Sequence, residues 1–171
     1  MRAALLALTL LIAAPAPVAA APETPEQRLA AAGLTLPPAN APIGLYVPAA
    51  RVGKLLFLAG HGECPAKATG KLGATMDVAA GKANAAGVAL CMLATLKAEL
   101  GELSRVKRVV KVMGLVNATP DFTQHPEVMN GFSEVMVTAF GEAGKAPRVA
   151  AGAGSLPRGW PVEVDAIVEI K

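Results

Sequence analysis

Val162-Glu163-Val164-Asp165-Ala166-Ile167-Val168-Glu169-Ile170 decides the fold class. Val162, Val164, Ala166, Val168 and Ile170 alternate with Glu163, Asp165 and Glu169, the period-two pattern of a strand with one face in a core. Upstream, Arg148 opens a run of small residues, 148–155, that reads as another strand. Leu156-Pro157-Arg158-Gly159 is the turn between them. Paired as a hairpin, the two strands set Arg148 opposite Glu169 and Glu163 opposite Gly154. Arg148 and Glu163 are then ~20 Å apart at ~3.3 Å per residue, too far to share a small substrate within one chain. An arginine opening one strand and a glutamate on the next suggest a site that holds a carboxylate and positions a water.

Working outward, residues 126–140 carry a helical pattern that ends at Gly141, and the valine-rich stretch 106–116 reads as a central strand. Asp77 caps a long helix reaching Leu100, with Val88, Cys91, Met92, Leu96 and Leu100 on one apolar face. Gly101 is a fitting stop. Residues 45–52 and 54–59 read as two strands turned at Gly53, and 60–73 as a loop. The order strand, strand, helix, strand, helix, strand, strand predicts a two-layer α+β domain with both helices on one sheet face. The other face, where Val162, Val164, Ala166, Val168 and Ile170 are expected to lie, then needs cover from neighbouring subunits.

Thr24-Pro25-Glu26-Gln27 starts a short helix that Gly33 can end. Leu36-Pro37-Pro38-Ala39-Asn40-Ala41-Pro42 excludes regular structure and reads as a linker. Residues 21–42 are thus an N-terminal helix and proline-rich linker, and 43–171 the main domain. At the start, Met1-Arg2, an uncharged run over 3–14, and Val18-Ala19-Ala20 have the three-part grammar of a secretory signal over residues 1–20. The apolar run is too short to span a bilayer, which takes ~20 residues. The expectation is an exported, periplasmic protein. No later segment reads as a membrane span, so the mature form is expected off the membrane.

Loss of residues 1–20 removes Arg2 alone, lowering the formal net charge of +3 by one. So small an excess does not point to nucleic acid. Arg105, Lys107, Arg108 and Lys111 lack interleaved aromatics and read as a solvated sheet end rather than an RNA track. His61 and Cys64 form a His-x-x-Cys, short of the three or four ligands a metal wants. Cys91 reads as a small buried hydrophobe in its helix and Cys64 as a loop residue; spacing alone does not bring their sulfurs together.

Ile43-Gly44 followed by Tyr46, Gly60 after the second strand, Asp121-Phe122, Asn130, Pro147-Arg148, Leu156-Pro157 and Val162-Glu163 together resemble the RidA (YjgF) family over residues 43–171. The early helix and Leu-Pro-Pro stretch resemble its less-studied branch with an N-terminal extension. The resemblance implies a chorismate-mutase-like fold and a homotrimer packed through its sheet faces, with sites in the clefts between subunits. It also implies hydrolysis of reactive 2-imino and 2-enamino acids to 2-oxo acids and ammonia, without metal or organic cofactor. Arg148 matches the residue that grips the substrate carboxylate, which its planar fork suits. Glu163 matches the one that orients the water, and an adjacent arginine would keep it ionised. Tyr46, Gly60 and Asn130 match cleft positions. The chain departs from well-known members at Ala59, where many carry serine or threonine, and at Ala150, where cysteine is common. The alternative is therefore a non-catalytic trimer that binds small acids, or an interaction module of the cell envelope.

Overall fold

The computed structural model describes residues 23–62, 64 and 68–171. The expected signal segment, residues 1–20, lies outside them. Thr24 caps α1, Pro25–Ala31, through a reciprocal capping box: its hydroxyl accepts from the Gln27 amide at 3.2 Å, and the Gln27 side chain accepts from the Thr24 amide at 2.8 Å. Leu29 of α1 is buried in the core, and the Glu26 carboxylate accepts from the Leu103 amide at 3.0 Å. The first helix is thereby fastened to the helical layer.

Strands β1, Ala49–Val52, and β2, Leu55–His61, form the expected hairpin, turned at Gly53 with φ +60°. β1 starts four residues later than the sequence suggested, directly after Pro48, whose ring removes the amide a ladder needs. Asp77 caps α2, Val78–Leu100, as expected, by accepting from the Ala80 amide at 2.8 Å. α2 corrects one expectation: by length and composition it is apolar enough to cross a membrane. Its residues Val88, Met92, Leu93 and Leu96 are instead fully covered by the sheet and by α3, the pattern of a core helix. β3 spans Val106–Asn117, α3 His125–Phe140, β4 Arg148–Ala153 and β5 Val162–Ile170. Gly131 of α3 lies against the Lys82 carbonyl of α2, an approach that a side chain at that position would prevent.

The five strands run in the order β1-β2-β5-β3-β4. This overturns the C-terminal hairpin. β4 pairs with β3 in parallel, Val112 facing Arg148, and β5 lies between β2 and β3, antiparallel to both. The physical reason is the connection: a helix between β3 and β4 makes a parallel crossover, which claims β3's outer edge for β4. β5, with the strongest alternation, then fills the centre, where Val162, Val164, Ala166, Val168 and Ile170 are essentially inaccessible beneath the helices.

Both helices cover one face, as predicted. The other carries Glu163, Asp165 and Glu169 of β5 beside the exposed apolar side chains Phe57, Met113 and Val149. This corrects the expectation that the valine stripe of β5 faces other subunits: it is the interior of the protomer, covered by the helices, and the face left for a neighbour is the mixed one behind it.

Candidate functional site

β4 begins at the edge of the sheet with Arg148 directed at α3. Its guanidinium donates to Ser133 Oγ at 2.8 Å, to Asn130 Oδ1 at 3.2 and 3.3 Å, and to the Pro126 carbonyl at 3.2 Å. Partial burial lowers its pKa, but a guanidinium stays charged throughout the physiological range. The three acceptors are neutral, so the positive charge is held in place without being cancelled. A shallow hollow lies beside it, lined by Asn130, Ser133, Lys145 and Arg148.

Glu163 sits elsewhere. It pairs with Leu115 across β3, while Arg148 pairs with Val112. Three residues along the strand and two strand spacings across leave the backbones roughly 14 Å apart. Alternation also turns the two side chains to opposite faces: Arg148 toward α3, Glu163 toward the face without helices. The sequence expectation that they do not meet within one chain therefore stands, on different geometry. Arg148, the arginine expected beside Glu163, does not reach it within the protomer. Burial, and then the like charge of Asp165, instead push its carboxyl pKa upward.

Gly60 explains how Glu163 is seated. β2 bulges between Leu58 and His61, and the Glu163 carboxylate lies in the space a Cβ on Gly60 would occupy. Gly60 and Tyr46 also border a cleft of about 380 Å³. The Tyr46 hydroxyl accepts from the Ile43 amide at 3.3 Å, and its half-exposed ring faces the cleft rather than the core.

The five residues expected at a site thus fall into two groups. Arg148 and Asn130 form a cationic half, whereas Glu163, Gly60 and Tyr46 form an anionic half next to a cleft. Asn130 has a more specific task than lining a wall, since it orients the arginine. Ser133 and the Pro126 carbonyl share that task and were missed. A serine three residues after Asn130, one helical turn on, is the signal that was available.

The structure also changes the reading of His61, Cys64 and Cys91. Cys64 and Cys91 are joined by a disulfide with a Cα–Cα distance of 6.0 Å, so Cys91 is not merely a buried hydrophobe. His61 Nδ1 lies 2.7 Å from the Ala59 carbonyl and Nε2 2.9 Å from Thr95 Oγ1; both ring nitrogens are engaged, and burial lowers its pKa. In the basic cluster, Lys107 pairs with Glu169 at 2.8 Å and Arg105 donates to the Leu100 carbonyl at 3.0 Å.

Residues 26–160 match the family model described as "YjgF/chorismate mutase-like, putative endoribonuclease". The chain belongs to this YjgF family. It is 42% identical over 145 residues to Protein TCP17 of Trypanosoma cruzi, covering 81% of this chain and 89% of that protein. Among solved structures it resembles Atu1372 of Agrobacterium tumefaciens, a protein of unknown function, with 39% identity and a TM-score of 0.79 over 86% of this chain and 92% of that one. It also resembles a Shewanella oneidensis protein titled a "putative endoribonuclease", 34% identical, with a TM-score of 0.83 over 86% of this chain and all of that one. For this YjgF-family chain, the two-layer α+β fold with its five-stranded sheet matches those two solved structures.

Proposed function

We propose that the protein hydrolyses reactive 2-imino and 2-enamino acids to 2-oxo acids and ammonia, in clefts where the cationic half of one protomer meets the anionic half of another in a homotrimer. The observation that carries this reading is the division of the five residues into two oppositely charged halves, neither sufficient alone. Arg148 grips the substrate carboxylate. Glu163 accepts a proton from water as the water oxygen bonds to C2 and the C=N π pair moves to nitrogen. The proton is returned to nitrogen to give a carbinolamine; its hydroxyl proton then passes by way of Glu163 to the amine, the C–N bond breaks as the C=O forms, and ammonia leaves a 2-oxo acid. A carboxyl pKa raised by burial suits Glu163 to this exchange. Fixing the carboxylate and one water supplies proximity, and an imine needs little more. The Cys64–Cys91 bridge supports work in an oxidising compartment, consistent with export to the periplasm.

The test uses freshly generated iminopyruvate and follows ammonia release. Arg148→Ala and Glu163→Gln should each be inactive alone. Unfolded together and reassembled, they should regain activity, because about one cleft in four then combines a native Arg148 with a native Glu163. Equal rates for wild type and Arg148→Ala would remove the enzymatic reading, and no rescue on mixing would remove the shared cleft. The family description and the Shewanella relative, both called putative endoribonucleases, favour a second reading, endoribonuclease activity. Cleavage of structured RNA that survives Arg148→Ala would support it.

A further inference from the structure

The hollow beside Arg148 carries a second cation that holding one carboxylate does not require. Lys145 lines it three residues before Arg148, where the backbone is extended on its way into β4. At ~3.3 Å per residue the two backbones are roughly 10 Å apart, and both long side chains border the same space. Val112, Phe132, Met136 and Val137 give the hollow an apolar lining. Its lining residues all fall between 112 and 148, where every residue is described, and none of them is an aspartate or glutamate. Asn130 accepts from Arg148 through Oδ1, which leaves its amide nitrogen as a further donor at the rim. Glu142 pairs with Lys145 at 2.6 Å, but both side chains are largely exposed, so water screens the pair and an anionic ligand can displace it. At about 380 Å³ the hollow falls in the range of organic-ligand sites, about 300–1,000 Å³.

We infer that this hollow selects 2-imino acids bearing a second carboxylate, gripped by Lys145 while Arg148 holds the first; the inference rests on the imine-hydrolysis reading. An acid of four or five carbons with a carboxylate at each end sets its methylenes against the apolar lining and a negative charge at each cation. An acid with one carboxylate leaves Lys145 to Glu142 and water. A cationic side chain meets two like charges. The two cations divide the work by their chemistry. Arg148 is fixed by three neutral acceptors, whereas the flexible stem of Lys145 lets its ammonium adjust to the length of the chain. Lys145 is then a specificity-determining residue, not merely one end of a surface ion pair.

The test uses the intact protein and two substrates of the same five-carbon skeleton. Imines are released continuously from D-glutamate by a D-aspartate oxidase and from D-norvaline by a D-amino-acid oxidase, and the decay of each is compared with and without the protein. The pair differs in the terminal carboxylate, and a hydrogen bond to a charged group is worth roughly tenfold or more. The glutamate-derived imine should therefore have a kcat/KM at least about tenfold higher than the norvaline-derived one. Lys145→Gln, at an exposed position, should cut that ratio at least about fivefold, mainly through KM for the glutamate-derived imine. Lys145→Arg, which keeps the charge, should retain most of it. Equal kcat/KM on the two imines, or a ratio that Lys145→Gln does not move, overturns the inference.

If neither imine is hydrolysed, the deaminase reading fails and calorimetry decides the hollow separately. Binding of 2-oxoglutarate at least about tenfold tighter than 2-oxopentanoate, with the difference lost in Lys145→Gln, supports a two-carboxylate site. Equal affinities, or a difference that survives Lys145→Gln, overturn it.

Discussion

Opening the Cys64–Cys91 bridge should cost the protein a large share of its stability. The two residues are 27 positions apart, and the bond ties a loop after β2 to the middle of α2. In the chain-entropy model, closing a loop of that size removes roughly 12 cal/mol/K from the unfolded ensemble, or about 3.5 kcal/mol at 25 °C. A typical domain has about 5–15 kcal/mol in total. In this size range each kcal/mol moves Tm by about 2–4 °C, so reduction should lower it by roughly 7–14 °C. Wild type, wild type with reductant, and the Cys64→Ala/Cys91→Ala double variant would be unfolded in urea under matched conditions. Both cysteines are buried, so the double variant adds a small packing loss to the entropic term. The reduced wild type isolates the bond itself. Two free thiols in the purified protein, or an unchanged midpoint on reduction, would refute the argument.

Gly60→Ala should cut imine turnover by tenfold or more, on the order of 1.4 kcal/mol or greater, while thermal melting changes far less, because the new Cβ takes the Glu163 carboxylate's place. Ser133→Ala removes a 2.8 Å bond to Arg148 and should raise KM more than it lowers kcat, as titration with 2-oxo acids would show by weaker binding. For Glu163 within one protomer the folded pKa is raised, so ionisation opposes folding: its favourable contribution is full below the unfolded pKa and is lost as pH rises through the folded one. Glu163→Gln should therefore melt higher relative to wild type at pH 7 than at pH 4, measured on dissociated protomers. In the assembled protein a neighbour's Arg148 should shrink that difference, and an identical pH dependence in both states would argue against their meeting.

Much of the fold was legible because it is locally encoded. Asp77 and Thr24 are side-chain caps whose partners lie three residues away, and the stripe in β5 exposes its own burial through alternation. Gly53 and Gly101 have the positive φ angles their turns demand. What was misread is non-local. The partner of β5 depends on where the α3 crossover delivers β4, and the bond between Cys64 and Cys91 depends on how the loop after β2 folds back on α2.

The site divides in the same way. The chain alone singled out the side chains proposed for the chemistry, Arg148 and Glu163 by type and neighbours, and Tyr46, Gly60 and Asn130 through the family resemblance. Only the tertiary structure decided that Asn130 serves Arg148, that Gly60 makes room for Glu163, and that arginine and glutamate face away from each other. Strand periodicity tells which residues share a face, but the pairing of distant strands sets which faces and edges become neighbours, and that is settled by packing the whole chain at once.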